Sequence, residues 1–155
     1  MTGKTHIIGG VAACVVTIRF TGFDPLLLTT AGIFGSLLPD ICHSGSKIGR
    51  KVPLLSNIVS ALFGHRTFTH SLLFLLLIQT LVSLARLPDE ITVGLLVGAA
   101  SHLLLDAATK NGIKLLYPLQ MTFRLPLTVR TGGPAENGVL AVLVLVVVYF
   151  GQGIM

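Results

Sequence analysis

His102 and Asp106 stand four residues apart in an apolar run, Ser101-His102-Leu103-Leu104-Leu105-Asp106. Four residues turn an α-helix by about 400°, so the two side chains fall on one face. An imidazole and a carboxylate among aliphatic residues are costly, and an Asp at a bilayer centre costs about 3 kcal/mol. A divalent cation offsets that cost directly. The pair offers two donors about 6 Å apart along the helix axis, suited to one metal or to two adjacent ones. A helix-to-helix hydrogen bond or a proton-relay pair accounts for the same two residues equally well.

Other ligand-type residues gather at the ends of apolar segments. His6 opens the first. Asp40 and His43 follow the second, in Leu37-Leu38-Pro39-Asp40-Ile41-Cys42-His43. His65 and His70 precede the third, in Gly64-His65-Arg66-Thr67-Phe68-Thr69-His70-Ser71, where Thr67 or Thr69 can cap a helix that starts near His70. Glu136 precedes the last. Asp40 and His70 are favoured as ligands. His43 and His65 read equally well as interfacial polar residues, His6 alone as a structural histidine, and Glu136 alone as a solvated acid. Imidazole and carboxylate without thiolate suit Zn²⁺, Mn²⁺ or Fe²⁺. The candidates exceed the four ligands of one tetrahedral zinc, so one or two ions are expected. Cys42 reads as a buried inert thiol. There is no His-Glu-x-x-His helix, no Gly-x-Ser-x-Gly elbow and no P-loop, which leaves metal-activated water as the clearest hydrolytic nucleophile. Arg66, Lys110 and Arg130 are the nearest cations for a phosphate-like group.

The elements that must position these residues belong to a membrane. The 155 residues are 52% hydrophobic and 11% charged, with mean hydropathy +0.87. Soluble domains carry about 25% charged residues, so this chain is expected to be a single integral membrane domain over residues 1–155. The formal charge of +5 is too scattered for a phosphate-tracking stripe, and no nucleic-acid partner is expected. Cys14 and Cys42 form no paired motif, and no removable signal peptide is read at the start.

Five apolar segments stand out, at 7–20, 26–38, 71–85, 91–108 and 139–154. The expected fold is all-α, a bundle of about five transmembrane helices. Most segments are shorter than the roughly 20 residues of a perpendicular span. A weaker segment, Pro53–Phe63, reads as an interfacial or re-entrant helix. Residues 110–137, with Pro118, Pro126, Pro134 and Gly132-Gly133, read as a loop with short extended pieces such as 125–129.

Five spans put nine Lys/Arg on the N-terminal side (Lys4, Lys47, Arg50, Lys51, Arg66, Lys110, Lys114, Arg124 and Arg130) and two, Arg19 and Arg86, on the other. Six spans would largely remove that bias. The positive-inside rule therefore favours five spans with the N-terminus in the cytoplasm. All the His and carboxylate motifs then fall on that side.

The motifs resemble those of the YdjM-like family of bacterial inner-membrane proteins, described as LexA-regulated, metal-dependent hydrolases. The shared features are Gly3-x-x-His6, Leu38-Pro39-Asp40-x-x-His43, Gly64-His65-Arg66-x-x-Thr69-His70-Ser71, His102-x-x-x-Asp106 and Thr131-Gly132-Gly133-x-x-Glu136, spread over nearly the whole chain. The family is similar at a distance to the zinc phospholipase C and zinc nuclease superfamily. His6, Asp40, His102 and Asp106 fit that superfamily's ligand pattern, whereas its middle His-x-x-x-Asp motif is absent here. The resemblance implies hydrolysis of a phosphoester, including a phospholipid-like one, and a place in the SOS response.

Two functions follow as expectations. In the first, His102, Asp106, His70 and Asp40 hold a metal with His6, His65 and His43 beside them, Asp40 or Glu136 accepts a proton from water, and Arg66 steadies the anionic substrate. In the second, the protein is a non-catalytic membrane protein, a small metal or proton transporter or a structural subunit. A relay should place ionisable groups through the membrane depth. The far-side acids Asp24, Asp89 and Glu90 lie in short loops without histidine, which disfavours transport.

Overall fold

The computed structural model describes residues 1–43, 45–46, 49–63 and 67–153. Among these residues six α-helices follow one another: α1 Gly3–Thr21, α2 Pro25–Gly35, α3 Pro53–Phe63, α4 Leu72–Leu84, α5 Asp89–Ala107 and α6 Pro134–Gly151. Two short 3₁₀ turns, Leu38–Cys42 and Phe68–His70, flank α3. Every apolar segment of the sequence is a helix, including the weaker one at Pro53–Phe63.

Local chemistry sets the boundaries. Gly22 ends α1 at φ 69°, where a side chain would be strained, and its N–H closes on Ile18 O. Asp24 caps α2, accepting from Leu27 N–H at 2.7 Å, with Pro25 opening the helix. The cap of α4 is Ser71, which accepts from Phe74 N–H at 3.3 Å. The sequence pointed instead to Thr67 or Thr69. Phe68–His70 forms its own tight turn, so the regular helix begins two residues after His70.

Among the described residues, three segments are long and apolar enough to cross a membrane: Pro25–Cys42, Asp89–Ala107 and Pro134–Gly151. Helix α1 is as long as α5, with 19 residues, but carries Lys4, His6 and Arg19. Helix α4, with 13 residues, reaches about 20 Å at 1.5 Å per residue, short of a bilayer core of about 30 Å.

Helix α5 is the centre, packing against α2, α1 and α4, while α6 lies on α1. Its closest partner is α2. A Cβ built on Gly94 would stand 2.5 Å from Leu28 O, one on Gly98 would press into Gly32 O, and one on Gly35 would press into Leu95 O. The two backbones touch because these positions lack side chains. Close approach through small residues is how helices gain contact where lipid removes the usual hydrophobic drive. Above that seam Cys14, Ile18 and Leu28 pack with Val93 and Val97. On the other side of α5, Ile78, Val82 and Ala99 join it to α4. Helix α6 leaves Val142, Leu145, Val148 and Tyr149 56–71% exposed, as expected of a face turned to lipid.

The start of α1, the end of α2, the start of α4, the end of α5 and the start of α6 meet at one end of the bundle, as the contacts below show. These five helices therefore alternate in direction. Helix α3 packs against the Leu38–Cys42 turn, which in turn meets Phe68–His70. The segment 109–131 is a connection held by isolated pairings, Thr109 with Val129 and Ile113 with Phe123.

Candidate metal centre

His6 closes the first turn of α1, His102 and Asp106 lie in the last turns of α5, Asp40 in the Leu38–Cys42 turn and His70 at the end of Phe68–His70. Residues separated by up to 100 positions converge. His6, His70, His102 and Asp106 are 0–1% exposed, while the Asp40 side chain keeps 20% of its surface open.

The donor atoms face one another. His102 Nε2 is 3.3 Å from His70 Nε2. Asp106 Oδ2 is 3.5 Å from His70 Nε2 and 3.8 Å from His102 Nε2. Asp40 Oδ1 stands 3.9 Å from His70 Nε2 and 3.8 Å from His102 Nε2. Bonds of about 2.0–2.1 Å from one tetrahedral Zn²⁺ hold neighbouring donors about 3.3 Å apart. Two nitrogens and two carboxylate oxygens already approach that spacing.

The outer nitrogens are committed elsewhere. His102 Nδ1 lies 2.7 Å from Ser36 O. A carbonyl only accepts, so Nδ1 carries the proton and Nε2 keeps its lone pair for the cluster. The Thr69 hydroxyl donates to Cys42 Sγ at 3.1 Å, so His70 Nδ1–H donates to Thr69 Oγ1 at 3.1 Å. His70 Nε2 is thereby also left as a lone pair. Burial works against the charged form of His70, but Asp106 and Cys42 beside it outweigh burial and hold its pKa above the ordinary histidine value.

His6 stacks on His102 with ring centroids 3.6 Å apart and planes at 12°. Its Nε2 is 3.2 Å from Asp106 Oδ1, an oxygen that the amino group of Met1 also contacts. His6 Nδ1 is buried with no hydrogen-bond partner. An orphaned buried nitrogen needs a partner, and a cation is one. His6, Asp40 and His102 bring one donor each within 4.8 Å of one another, as do His70, His102 and Asp106. The residues fit a divalent ion, and Asp106 faces both groups with different oxygens. They do not select among Zn²⁺, Mn²⁺ and Fe²⁺.

A cavity of about 730 Å³ opens beside Asp40, walled by Lys4, His43, Arg50 and Glu136, with Leu37 and Leu140 supplying apolar surface. His43 is exposed on this wall and belongs to neither donor group. Although three residues from Asp40, it follows the 3₁₀ turn with extended backbone at φ −115°, ψ 107°, so the register that would align it is lost. Glu136 is also engaged outside the cluster. Its Oε1 accepts from Thr2 N–H and Thr5 Oγ1–H and its Oε2 from Gly132 N–H, each at 2.6 Å. It ties the start of α6 to the start of α1. His65 and Arg66 lie outside the described residues.

Sequence reasoning missed the supports. Ser36 acts through a backbone carbonyl, which no side-chain pattern reveals. Thr69 could have been found from the Thr69-His70 pair, read there as a helix cap. Lys4 and Arg50, counted only as positive-inside charges, line the cavity.

The family profile "YdjM inner membrane protein" matches residues 1–155. The chain is 55% identical over 151 residues to "Uncharacterized protein YvsG" of Bacillus subtilis (strain 168), covering 97% of this chain and 94% of that one. It is 34% identical over 145 residues to "Inner membrane protein YdjM" of Escherichia coli (strain K12) and of Shigella flexneri, covering 86% of this chain and 74% of each relative. No solved structure matches. A whole-length profile match and apolar helices around a buried His/Asp cluster identify the chain as an integral membrane protein belonging to the YdjM inner membrane protein family.

Proposed function

We propose that this protein is a membrane-embedded, metal-dependent hydrolase of a phosphoester or phospholipid-like substrate, working at the cytoplasmic face of the inner membrane. The observation that carries the reading is that His70 Nε2 and His102 Nε2 lie 3.3 Å apart, with Asp106 Oδ2 at 3.5 and 3.8 Å and Asp40 Oδ1 at 3.9 and 3.8 Å from them. These four residues would hold the principal ion, and His6 would add a donor to the same ion or to a second one. Zn²⁺, or Mn²⁺ or Fe²⁺ in its place, would supply there a water acidic enough to act as nucleophile near neutral pH and a Lewis acid for a phosphoryl oxygen.

The chain's own residues do the rest. Asp40 is the partly open member of the cluster and faces the cavity, so its carboxylate is the group placed to accept a proton from water. Glu136 is the weaker candidate for that step, because both of its oxygens already accept hydrogen bonds. Lys4 and Arg50 stand on the cavity wall where a phosphoryl anion would enter, and Arg66 belongs to the same role on the sequence motif. Leu37 and Leu140 give the cavity an apolar side suited to the carbon chain of an amphiphile. The cytoplasmic placement rests on the nine-to-two distribution of Lys/Arg and on the gathering of helix ends at the cluster. Control by LexA belongs to this reading on the family resemblance.

The transporter alternative gains nothing from the fold. The cluster lies at one end of the bundle, and the far-side acids cap α2 (Asp24) or open α5 (Asp89, Glu90). The test is hydrolysis of phosphomonoester, phosphodiester and phospholipid substrates by protein in nanodiscs. The reading expects activity that a chelator abolishes and Zn²⁺ or Mn²⁺ restores. Metal-replete protein without activity on any of these classes would contradict it.

A further inference from the structure

Between Asp106 and Glu136 the chain carries Lys110, Lys114, Arg124 and Arg130 and no acidic residue. This connection is firmly held at its base. Lys110 N–H donates to Val129 O, Leu125 N–H to Ala107 O, Val129 N–H to Ala108 O, and Leu72 N–H to Leu115 O. Tyr117 meets Phe68 edge to face, with centroids 6.0 Å apart. Ile113 is 1% exposed. From this fixed base the segment projects Leu116, Leu119, Met121, Phe123 and Leu127, which are 45–84% exposed. An ordered segment that presents large apolar side chains beside cations, without one acid, matches a bilayer interface with anionic headgroups: the aliphatic groups sink and the cations meet phosphate.

The base also contains a built space. A cavity of about 390 Å³ is lined by Lys110 and Arg130, with Thr109, Asn111 and Thr131 between them. Two cations and three polar side chains around one concavity form a phosphate-binding lining. Lys114 is occupied otherwise, donating to Gln120 O at 3.0 Å and Gln120 Oε1 at 2.7 Å, where it shapes the turn.

We propose that the 109–131 connection is an interfacial anchor: the cavity between Lys110 and Arg130 binds the phosphate of an anionic phospholipid headgroup, and the exposed apolar side chains of the segment sit among the surrounding lipids. The anchor is distinct from the metal cluster and does not depend on hydrolysis. Because its base is bonded to the carbonyls that follow Asp106, it fixes the depth of the end of α5 relative to the headgroups.

The chain has no tryptophan, so Leu119→Trp gives a single reporter. Full-length L119W protein is placed in nanodiscs of phosphatidylglycerol and phosphatidylcholine, with bromine on the acyl chains of one lipid or the other. The expected result is blue-shifted emission, quenched at least about two-fold more strongly when the bromine is on phosphatidylglycerol at equal mole fraction. Adding K110Q and R130Q should equalise the two labels while leaving the emission blue-shifted, with helix content by circular dichroism reporting that the variant is folded. Water-like emission accessible to acrylamide would overturn the insertion, and equal quenching by both labels in L119W would overturn the headgroup site. Phosphatidylglycerol adducts seen by native mass spectrometry, retained by the parent and lost from K110Q/R130Q, give an independent reading. Equal retention would likewise overturn the site.

Discussion

His102 Nδ1 sits 2.7 Å from the backbone carbonyl of Ser36, 66 residues earlier in the chain. That bond joins the two helices whose backbones touch through glycine, since Ser36 follows Gly35 and His102 comes one turn after Gly98. The bare spacer residues of the α2–α5 seam therefore decide which tautomer the metal cluster presents.

Gly98→Leu tests that dependence. The added side chain meets Gly32 O and the Ser36 amide, so α2 and α5 must separate. Overpacking of this kind costs about 1–3 kcal/mol. Loss of an outer-shell partner of a ligating histidine lowers metal affinity about 10–100-fold. Thermal unfolding in detergent and metal titration should show both effects. Gly138→Leu, at a position with open space around it, should show neither.

Thr69→Val removes a hydroxyl and keeps the shape. His70 Nδ1 then loses its acceptor and Cys42 Sγ loses the donor at 3.1 Å. Metal affinity should fall about 10–100-fold with the helical fold intact. Unchanged affinity by isothermal titration would remove Thr69 from the account.

The pH dependence has a definite sign. His70 has a raised pKa in the metal-free protein, so its contribution to stability is fully present below the unfolded value of about 6.5 and is lost as pH rises through the folded value. Metal binding requires the neutral ring and displaces that proton. Metal-free protein should therefore lose stability as pH rises above about 6.5, and Zn²⁺ affinity should increase over the same range. Titrations at several pH values with proton release measured in buffers of different ionisation enthalpy check both.

Glu136→Gln separates architecture from chemistry. The carboxylate accepts three hydrogen bonds at 2.6 Å between α1 and the start of α6. An amide accepts through one oxygen only, and a hydrogen bond to a charged group contributes about 1.5–3 kcal/mol. The variant should unfold at lower temperature while binding the same number of metal ions. A variant as stable as the parent but inactive would return Glu136 to the chemistry.

Much of this arrangement was legible in the residues. Each apolar segment became a helix because a stretch such as Leu72–Leu84 has no other way to satisfy its backbone beside lipid. The i, i+4 spacing placed His102 and Asp106 together because helix geometry is local. His43 stayed open for the complementary reason: aligning it with Asp40 takes a helix that runs through it, and the 3₁₀ turn ends one residue earlier. Glu136 was undecidable from its neighbours, since its partners Thr2 and Thr5 lie more than 130 residues away. The α2–α5 seam was written in Gly32, Gly35, Gly94 and Gly98, but which glycines face each other depends on tertiary packing that spacing does not specify.

Metal content of the purified protein, compared with that of His102→Ala, bears on the cluster most directly. The account predicts one or two equivalents of Zn²⁺, Mn²⁺ or Fe²⁺ in the parent and a substantial loss in His102→Ala, while His43→Ala, altered on the cavity wall, keeps the full amount. A parent without stoichiometric metal, or a His102→Ala protein as fully loaded as the parent, would contradict it.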